Sequence, residues 1–227
     1  MTGSFWDAHA TARLAEAPPG PLEAPARMEW TQQRDIGPGA EILGTDLAGR
    51  RIIELGCGPG HNAAHLAQAG ARVIGVDSSA GQIRRALAHY GHTGALFHRG
   101  TALSHLTRGS VPLDAIVSVF GAIGLTEPAP LLNAASRRLT PGGVLAFSVP
   151  HPQRSGAIRR TPRTREVMAL PDGSTATVER WELEPATWAR TLNRAGLQVT
   201  ALQHHFAPAN SPWPTTLLIT ARKPRHP

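Results

Sequence analysis

The chain has 227 residues, enough to bury one full core, and its 41% hydrophobic content excludes a disordered or fibrous protein. No apolar run approaches the roughly 20 residues of a membrane span, residues 1–10 lack a secretory leader's basic and apolar blocks, and the lone Cys57 excludes an internal disulfide; the expected setting is the cytoplasm, with no membrane partner. The formal charge of +7 rests almost wholly on arginine, Lys223 being the only lysine, which suits either a nucleic-acid partner or the codon bias of a GC-rich genome.

Residues 1–49 precede the first strong strand and are too long to be only a tail. Residues 5–14 read as a short helix with Phe5, Trp6 and His9 on one side. A Pro-rich break at 17–25 follows, then Trp30, a Gly37-Pro38-Gly39 turn and a short helix at 40–43. Trp6 and Trp30 either belong to an apolar lid that keeps water from a site or anchor this arm to the core. Next comes Ile52-Ile53, then Glu54-Leu55-Gly56-Cys57-Gly58-Pro59-Gly60, then a helix at 61–69. Glycine at every second position lets a strand-to-helix turn bend sharply and approach a ligand closely, with the helix N–H groups facing what is bound. A dinucleotide-binding turn would need a further glycine where His61 stands.

From there strands and helices alternate, as a parallel α/β sheet requires. A β-branched strand at 72–76 ends in Asp77, where a carboxylate can accept both hydroxyls of a ribose. Ser78 or Ser79 caps the following helix, which runs to His89. Strands are expected at 95–98, 113–120 and 144–149, with a helix at 128–139 and a turn at 140–143. Right-handed crossovers place ligands at the carboxyl ends of these strands.

Glu54 with Gly56, Gly58 and Gly60 resembles motif I of the class I S-adenosylmethionine (SAM)-dependent methyltransferases, which reads acid-x-Gly-x-Gly-x-Gly. The resemblance continues through Asp77, Ser118-Val119-Phe120-Gly121 and the Leu139-Thr140-Pro141-Gly142-Gly143 turn, and so covers residues 51–149, extending weakly through a helix at 188–197 and strands at 197–203 and 215–221. It implies a Rossmann-like, seven-stranded, mostly parallel sheet with helices on both faces, an antiparallel last strand and an N-terminal helical cap at 1–49. The methyltransferase domain would span 50–227, with an inserted loop and hairpin at about 150–183. It implies SAM as cofactor. Gly56, Cys57, Gly58 and Gly60 would lie under its methionine and ribose, and Glu54 would support its ammonium. Asp77 and Ser78 would hold the ribose, and Val119 and Phe120 would line the transferable methyl. Two positions depart from the family pattern: Gln82 replaces an apolar residue against adenine. Thr101, followed by Ala102, replaces an acid that takes the adenine amino group, and a neutral hydroxyl is the weaker partner there.

The insertion carries Arg154, Arg159, Arg160 and Arg163 within ten residues, then a hairpin around Pro171-Asp172-Gly173. Placed after the fifth strand it should overhang the site, where loops decide substrate choice. His151, two residues beyond that strand, is the candidate general base for an acceptor that must lose a proton. Of His204 and His205 only one can point inward. The candidate substrate contacts are Trp6, Trp30, His151, Arg154 and His205. Scattered histidines predict no metal site. Methylation of the adenine amine would need Asn/Asp-Pro-Pro-aromatic where Val119-Phe120-Gly121-Ala122 stands, and carbon-5 methylation of pyrimidines needs a cysteine other than one tied into the turn. The expected function is methyl transfer to oxygen or nitrogen of a small molecule, such as a natural-product intermediate. The alternatives are an RNA methyltransferase, reached through the arginines although these lack interleaved aromatics, and a SAM-binding regulatory protein without catalysis.

Overall fold

The computed structural model describes residues 2–16, 20–156, 161–170, 173–207 and 212–225. Its strands are β1 (Arg51–Leu55), β2 (Arg72–Asp77), β3 (Leu96–Arg99), β4 (Leu113–Val119), β5 (Leu139–Pro150), β6 (Arg163–Ala169), β7 (Thr175–Trp181), β8 (Gln198–Phe206) and β9 (Pro214–Arg222). The helices of more than one turn are α1 (Thr2–Glu16), α2 (His61–Gln68), α3 (Ala80–Tyr90), α4 (Ala102–Arg108), α6 (Pro128–Arg138) and α7 (Pro185–Arg194), with a single turn, α5, at Ala122–Leu125. Seven strands form one sheet in the order β3-β2-β1-β4-β5-β9-β8, and β6 pairs with β7 as a separate antiparallel ribbon. β1 to β5 are parallel, and β9 runs antiparallel to both β5 and β8. Among the described residues no helix is long and apolar enough to cross a membrane.

Alternation along the central strands assigns each face its core. Ile53, Leu55, Ile116, Leu145 and Phe147 pack with Leu131 and Leu132 of α6 and Trp188 and Leu192 of α7. Ile52, Ala115, Val117, Val144 and Ala146 point the other way, onto Ala63 and Leu66 of α2, Ile83 and Ala86 of α3, and Met28, Trp30 and Leu43 from the N-terminal arm. These strands are buried on both faces, as a parallel sheet demands.

Two local differences from the sequence expectation have physical causes. The turn at 140–143 does not precede the fifth strand but lies within it. β5 starts at Leu139 opposite Leu113, and pairing resumes with Val144 opposite Ala115. The extra residues bulge, with Gly142 at φ 81°, and the end of β9 pins them: Gly142 N–H donates to the Lys223 carbonyl, and Lys223 Nζ donates to the Leu139 carbonyl at 2.9 Å. α7 starts at Pro185, earlier than residue 188, because proline suits a first helical turn. β6 and β7 form the expected hairpin, although Pro171 and Asp172 of its turn lie outside the described residues.

Trp188 is fully buried, with its ring 5.1 Å from that of Phe147 in an edge-to-face contact. Trp188→Ala should therefore lower stability by about 3–5 kcal/mol, read from the urea midpoint. Leu87→Ala, at a position 51% exposed, should change it by less than about 0.5 kcal/mol. Equal effects of the two would contradict this core assignment.

Candidate active site

Strand order reverses between β1 and β4, and a crevice opens at the carboxyl ends flanking such a switch point. Here it is a cavity of about 560 Å³. Its floor is the glycine turn after β1, its sides are the turns after β2, β3 and β4, and Trp6, His9 and Arg13 of α1 close it from above.

The three glycines of the turn do different things. All have positive φ: 74° at Gly56, 53° at Gly58 and 89° at Gly60. A Cβ on Gly56 would stand 2.6 Å from the Ala122 amide nitrogen, and one on Gly60 would strike the Phe97 ring, so both are demanded by packing. A Cβ on Gly58 would meet nothing within 4 Å, and Gly58 lines the cavity. The turn is tied to β2 through Gly56 N–H and Cys57 N–H, which both donate to the Val76 carbonyl.

Two carboxylates frame the turn. Asp77 accepts the Gly58 N–H on one oxygen at 2.9 Å and the Ser79 N–H on the other at 2.8 Å. Burial still raises its pKa, with Asp7 adding to the rise and these N–H bonds opposing it. Glu54 is buried at the end of β1, and burial pushes its pKa up to about 8, against hydrogen bonding from Asn62 and the Ala63 N–H, with the charge of Asp77 adding to the rise. Its Oε2 is buried with no hydrogen-bond partner among the described residues.

Across the cavity, Phe120 takes φ 47°, a left-handed conformation that costs a non-glycine residue about 1–3 kcal/mol. The strain is held by its neighbours. Phe120 N–H donates to the Ser148 carbonyl, Ser118 Oγ donates to the Leu55 carbonyl at 2.8 Å, and a Cβ on Gly121 would lie 2.5 Å from the same Leu55 oxygen. The roof is held as firmly. Asp7 of α1 accepts the Ser79 hydroxyl at 2.7 Å and the Gly81 N–H at 2.8 Å, so it caps α3 from outside the helix. These bonds lower its pKa, with Arg99 and Arg84 adding to the effect. Gly81 permits the contact, since a Cβ there would stand 2.9 Å from that of Ala10.

Residues 52–143 match the family model of a methyltransferase domain. A ubiquinone biosynthesis O-methyltransferase of Ruegeria pomeroyi is 26% identical over 184 residues, covering 80% of this chain and 68% of the relative. Another, from Xylella fastidiosa strain M23, is 27% identical over 226 residues, covering 98% and 83%. The solved DhpI-SAM-HEP complex aligns with a TM-score of 0.68 at 18% identity, over 96% of this chain and 94% of its own. The chain carries a methyltransferase domain, on the fold of the solved SAM-dependent methyltransferases. SAM is the cofactor in the solved DhpI-SAM-HEP complex, and the floor of this cavity fits it. A cationic ammonium answers the unpartnered Glu54 oxygen, and the open side of Gly58 admits a ligand against bare backbone.

The methyltransferase cavity gathers Glu54, Gly56, Cys57, Gly58, Asp77, Ser78, Gln82, Thr101, Ala102, Val119, Phe120 and Trp6, with Gly60 just beneath as the N-cap of α2. Ser79 rather than Ser78 caps α3, and Ser78 is left exposed at the rim. Thr101 caps α4 through the Ser104 N–H. Four expected substrate contacts lie away from the cavity. Trp30 is fully buried and donates from Nε1 to the Gly39 carbonyl, which anchors the N-terminal arm. His151 is buried beyond β5 with Nε2 2.8 Å from His204 Nδ1. Burial, His204 and Arg154 together hold its pKa down to about 4, so it is no base titrating near neutrality. Arg154 pairs with the buried Glu182 at 2.8 Å. His205 faces Gly37 and approaches Gln203, and it is His204 that turns toward His151. Arg159 and Arg160 lie outside the described residues. Sequence reading missed Arg13, Asn62, Arg85, Leu125 and Thr126 on the cavity wall. Arg13 was within reach, because Trp6, His9 and Arg13 share the i, i+3, i+7 face of one helix.

The raised pKa of Glu54 makes a prediction about the ligand-free methyltransferase. Its unfolded-state value is near 4.5 and its folded value about 8. Between these the native state keeps a proton that the unfolded chain has lost, so this group's contribution to stability falls as pH rises through that window and levels off above it. Glu54→Gln should be more stable than wild type at pH 8 by roughly 1–3 kcal/mol, with the gap closing toward pH 5. Urea unfolding at both pH values measures it, and a gap independent of pH would show that Glu54 is ionised in the free protein.

Proposed function

We propose that this methyltransferase transfers its methyl group to an oxygen of a small molecule held beneath α1. The observation that carries the reading is the seating of α1 on α3 through Asp7, which roofs a cavity of about 560 Å³ with Trp6 and His9, a size typical of small-molecule sites. Oxygen as the acceptor atom is supported by the O-methyltransferase names of relatives that align over 80% and 98% of the chain. Those names come from ubiquinone biosynthesis, so they favour that setting over the natural-product role expected from sequence. Among the described residues the RNA reading has less support. Arg163 and Arg165 pair with Glu179, Arg180 pairs with Glu166 and Arg154 with Glu182, so these arginines are engaged within the hairpin and its base.

In this reading Glu54 takes the cofactor ammonium and Asp77 the ribose hydroxyls, beside Ser78. Gln82, Thr101 and Ala102 meet the adenine. Gly56, Cys57 and Gly58 give it bare backbone, and Val119 and Phe120 flank the methyl group. SAM supplies an electrophilic methyl on a sulfonium, so the protein's work is alignment and exclusion of water. His9, the imidazole that α1 brings into the cavity, takes the proton from the acceptor hydroxyl in place of His151.

Incubation of the protein with methyl-labelled SAM and a fractionated cell extract tests the reading. Label should enter the small-molecule fraction as a methyl ether, and label confined to RNA would overturn it. The roof has its own test. Asp7→Ala should lower turnover at least tenfold while calorimetry finds S-adenosylhomocysteine affinity within about threefold of wild type; unchanged turnover would mean that α1 has no part in catalysis.

A further inference from the structure

We propose that Asn62 is a positioning residue for the cofactor ammonium: its amide, gripped by the backbone of Glu29, gives its remaining N–H to the Glu54 carboxyl. The proposal rests on the reading in which Glu54 takes that ammonium. In the sheet Glu54 lies between Gly75 of β2 and Val117 of β4, and neither side chain can hydrogen-bond. Strand alternation turns Glu54 to the face of Ile52, which is covered by α2, α3 and the N-terminal arm. Donors for its carboxyl must come from there. Asn62, the second residue of α2, lines the cavity with it.

The amide of Asn62 is held at both ends. Its Oδ1 accepts the Glu29 N–H at 3.2 Å, and its Nδ2 donates to the Glu29 carbonyl at 3.3 Å. A flipped amide would set oxygen against carbonyl and N–H against N–H, so the two contacts fix its orientation. Glu29 is a firm support, because Met28 and Trp30 on either side of it are fully buried. An amide nitrogen carries two hydrogens. One is taken by Glu29, and the other is left for Glu54, on which hydrogen bonding from Asn62 acts.

The other groups around Glu54 show what this bond does. Burial and the charge of Asp77 disfavour its ionised form, and the Cys57 thiol beside it is itself kept protonated by burial. Asn62 and, to a smaller degree, the Ala63 N–H act the other way. A donor on a carboxylate stabilises the charged form, so Asn62 lowers the cost of the ionisation that an ammonium requires. It also leaves Oε2, the oxygen with no partner among the described residues, for the ligand.

The test is calorimetry of S-adenosylhomocysteine binding at pH 8 in two buffers of different ionisation enthalpy, which counts the protons released. With the Glu54 pKa at about 8 in the free protein, wild type should release about half a proton as the ammonium forces ionisation. Asn62→Ala should bind about five- to tenfold more weakly. It should also release nearer to one proton, because loss of the donor raises that pKa further. Asn62→Leu, closer in size to asparagine, should do the same and replaces the alanine variant if that one is unstable. Glu54→Gln should release none. A purely structural role for Asn62 would weaken binding and leave the release at the wild-type value; that result, or unchanged affinity, overturns the proposal. Equal release by wild type and Glu54→Gln would instead remove the ammonium from Glu54, overturning the reading beneath the proposal as well.

Discussion

The start of α3 is the knot on which the site depends. The carboxylate of Asp77 bridges two turns that are distant in sequence, taking the Gly58 N–H after β1 and the Ser79 N–H after β2. The hydroxyl of Ser79 then caps α3 at the Gln82 N–H and donates to Asp7 of α1. One chain of hydrogen bonds thus fixes the glycine turn, the second turn and the roof relative to one another. Bonds to an ionised acceptor are about twice as strong as neutral ones, so the arrangement is rigid where a cofactor would need it preformed.

Glu54 shows the opposite use of a carboxylate. It is taken out of water and given an incomplete set of partners, so the proton stays on at neutral pH. The free protein carries an electrostatic cost there that a cationic ligand would relieve. Selectivity follows from the pair. On the proposed placement, a ligand with an ammonium at one end and a diol at the other would answer both acids at once. On that placement the buried mismatch in the free protein would contribute to recognition of a cationic ligand.

Most of the fold was legible because the signals that set it are local. β-branched runs, glycines at fixed spacing, and prolines at helix starts mark elements whose periodicity also determines which face is buried. The order β3-β2-β1-β4-β5-β9-β8 was not read from the sequence, since no local signal orders strands; the resemblance to a family implied only a seven-stranded, mostly parallel sheet with an antiparallel last strand. The floor of the cavity lies in those same turns and was equally readable. Its roof and far wall were not. Whether Trp6 or Trp30 faces the cavity depends on how the N-terminal arm crosses the sheet, and the deciding residue, Gly81, matters only because α1 packs against it. His151 stands where a base would be expected along the chain. The chain leaves β5 in the wrong direction for that role, and its imidazole turns to His204 on β8, a strand more than fifty residues later.

The charge of the chain illustrates the same division between what composition carries and what position decides. A count of +7 treats every arginine alike, but the hairpin arginines face Glu166 and Glu179 across a two-stranded ribbon, where such pairs stabilise register and add little positive field. By sequence Arg85 is the second of two adjacent arginines in an ordinary helix, with no motif to single it out. It becomes distinctive only when α1 and α3 meet and place it with Arg13 on the wall of one cavity. For a methyltransferase whose cofactor site is shared across a whole family, the features that distinguish one acceptor from another are expected in that kind of position: on the roof and far wall, assembled from segments that have no meaning separately.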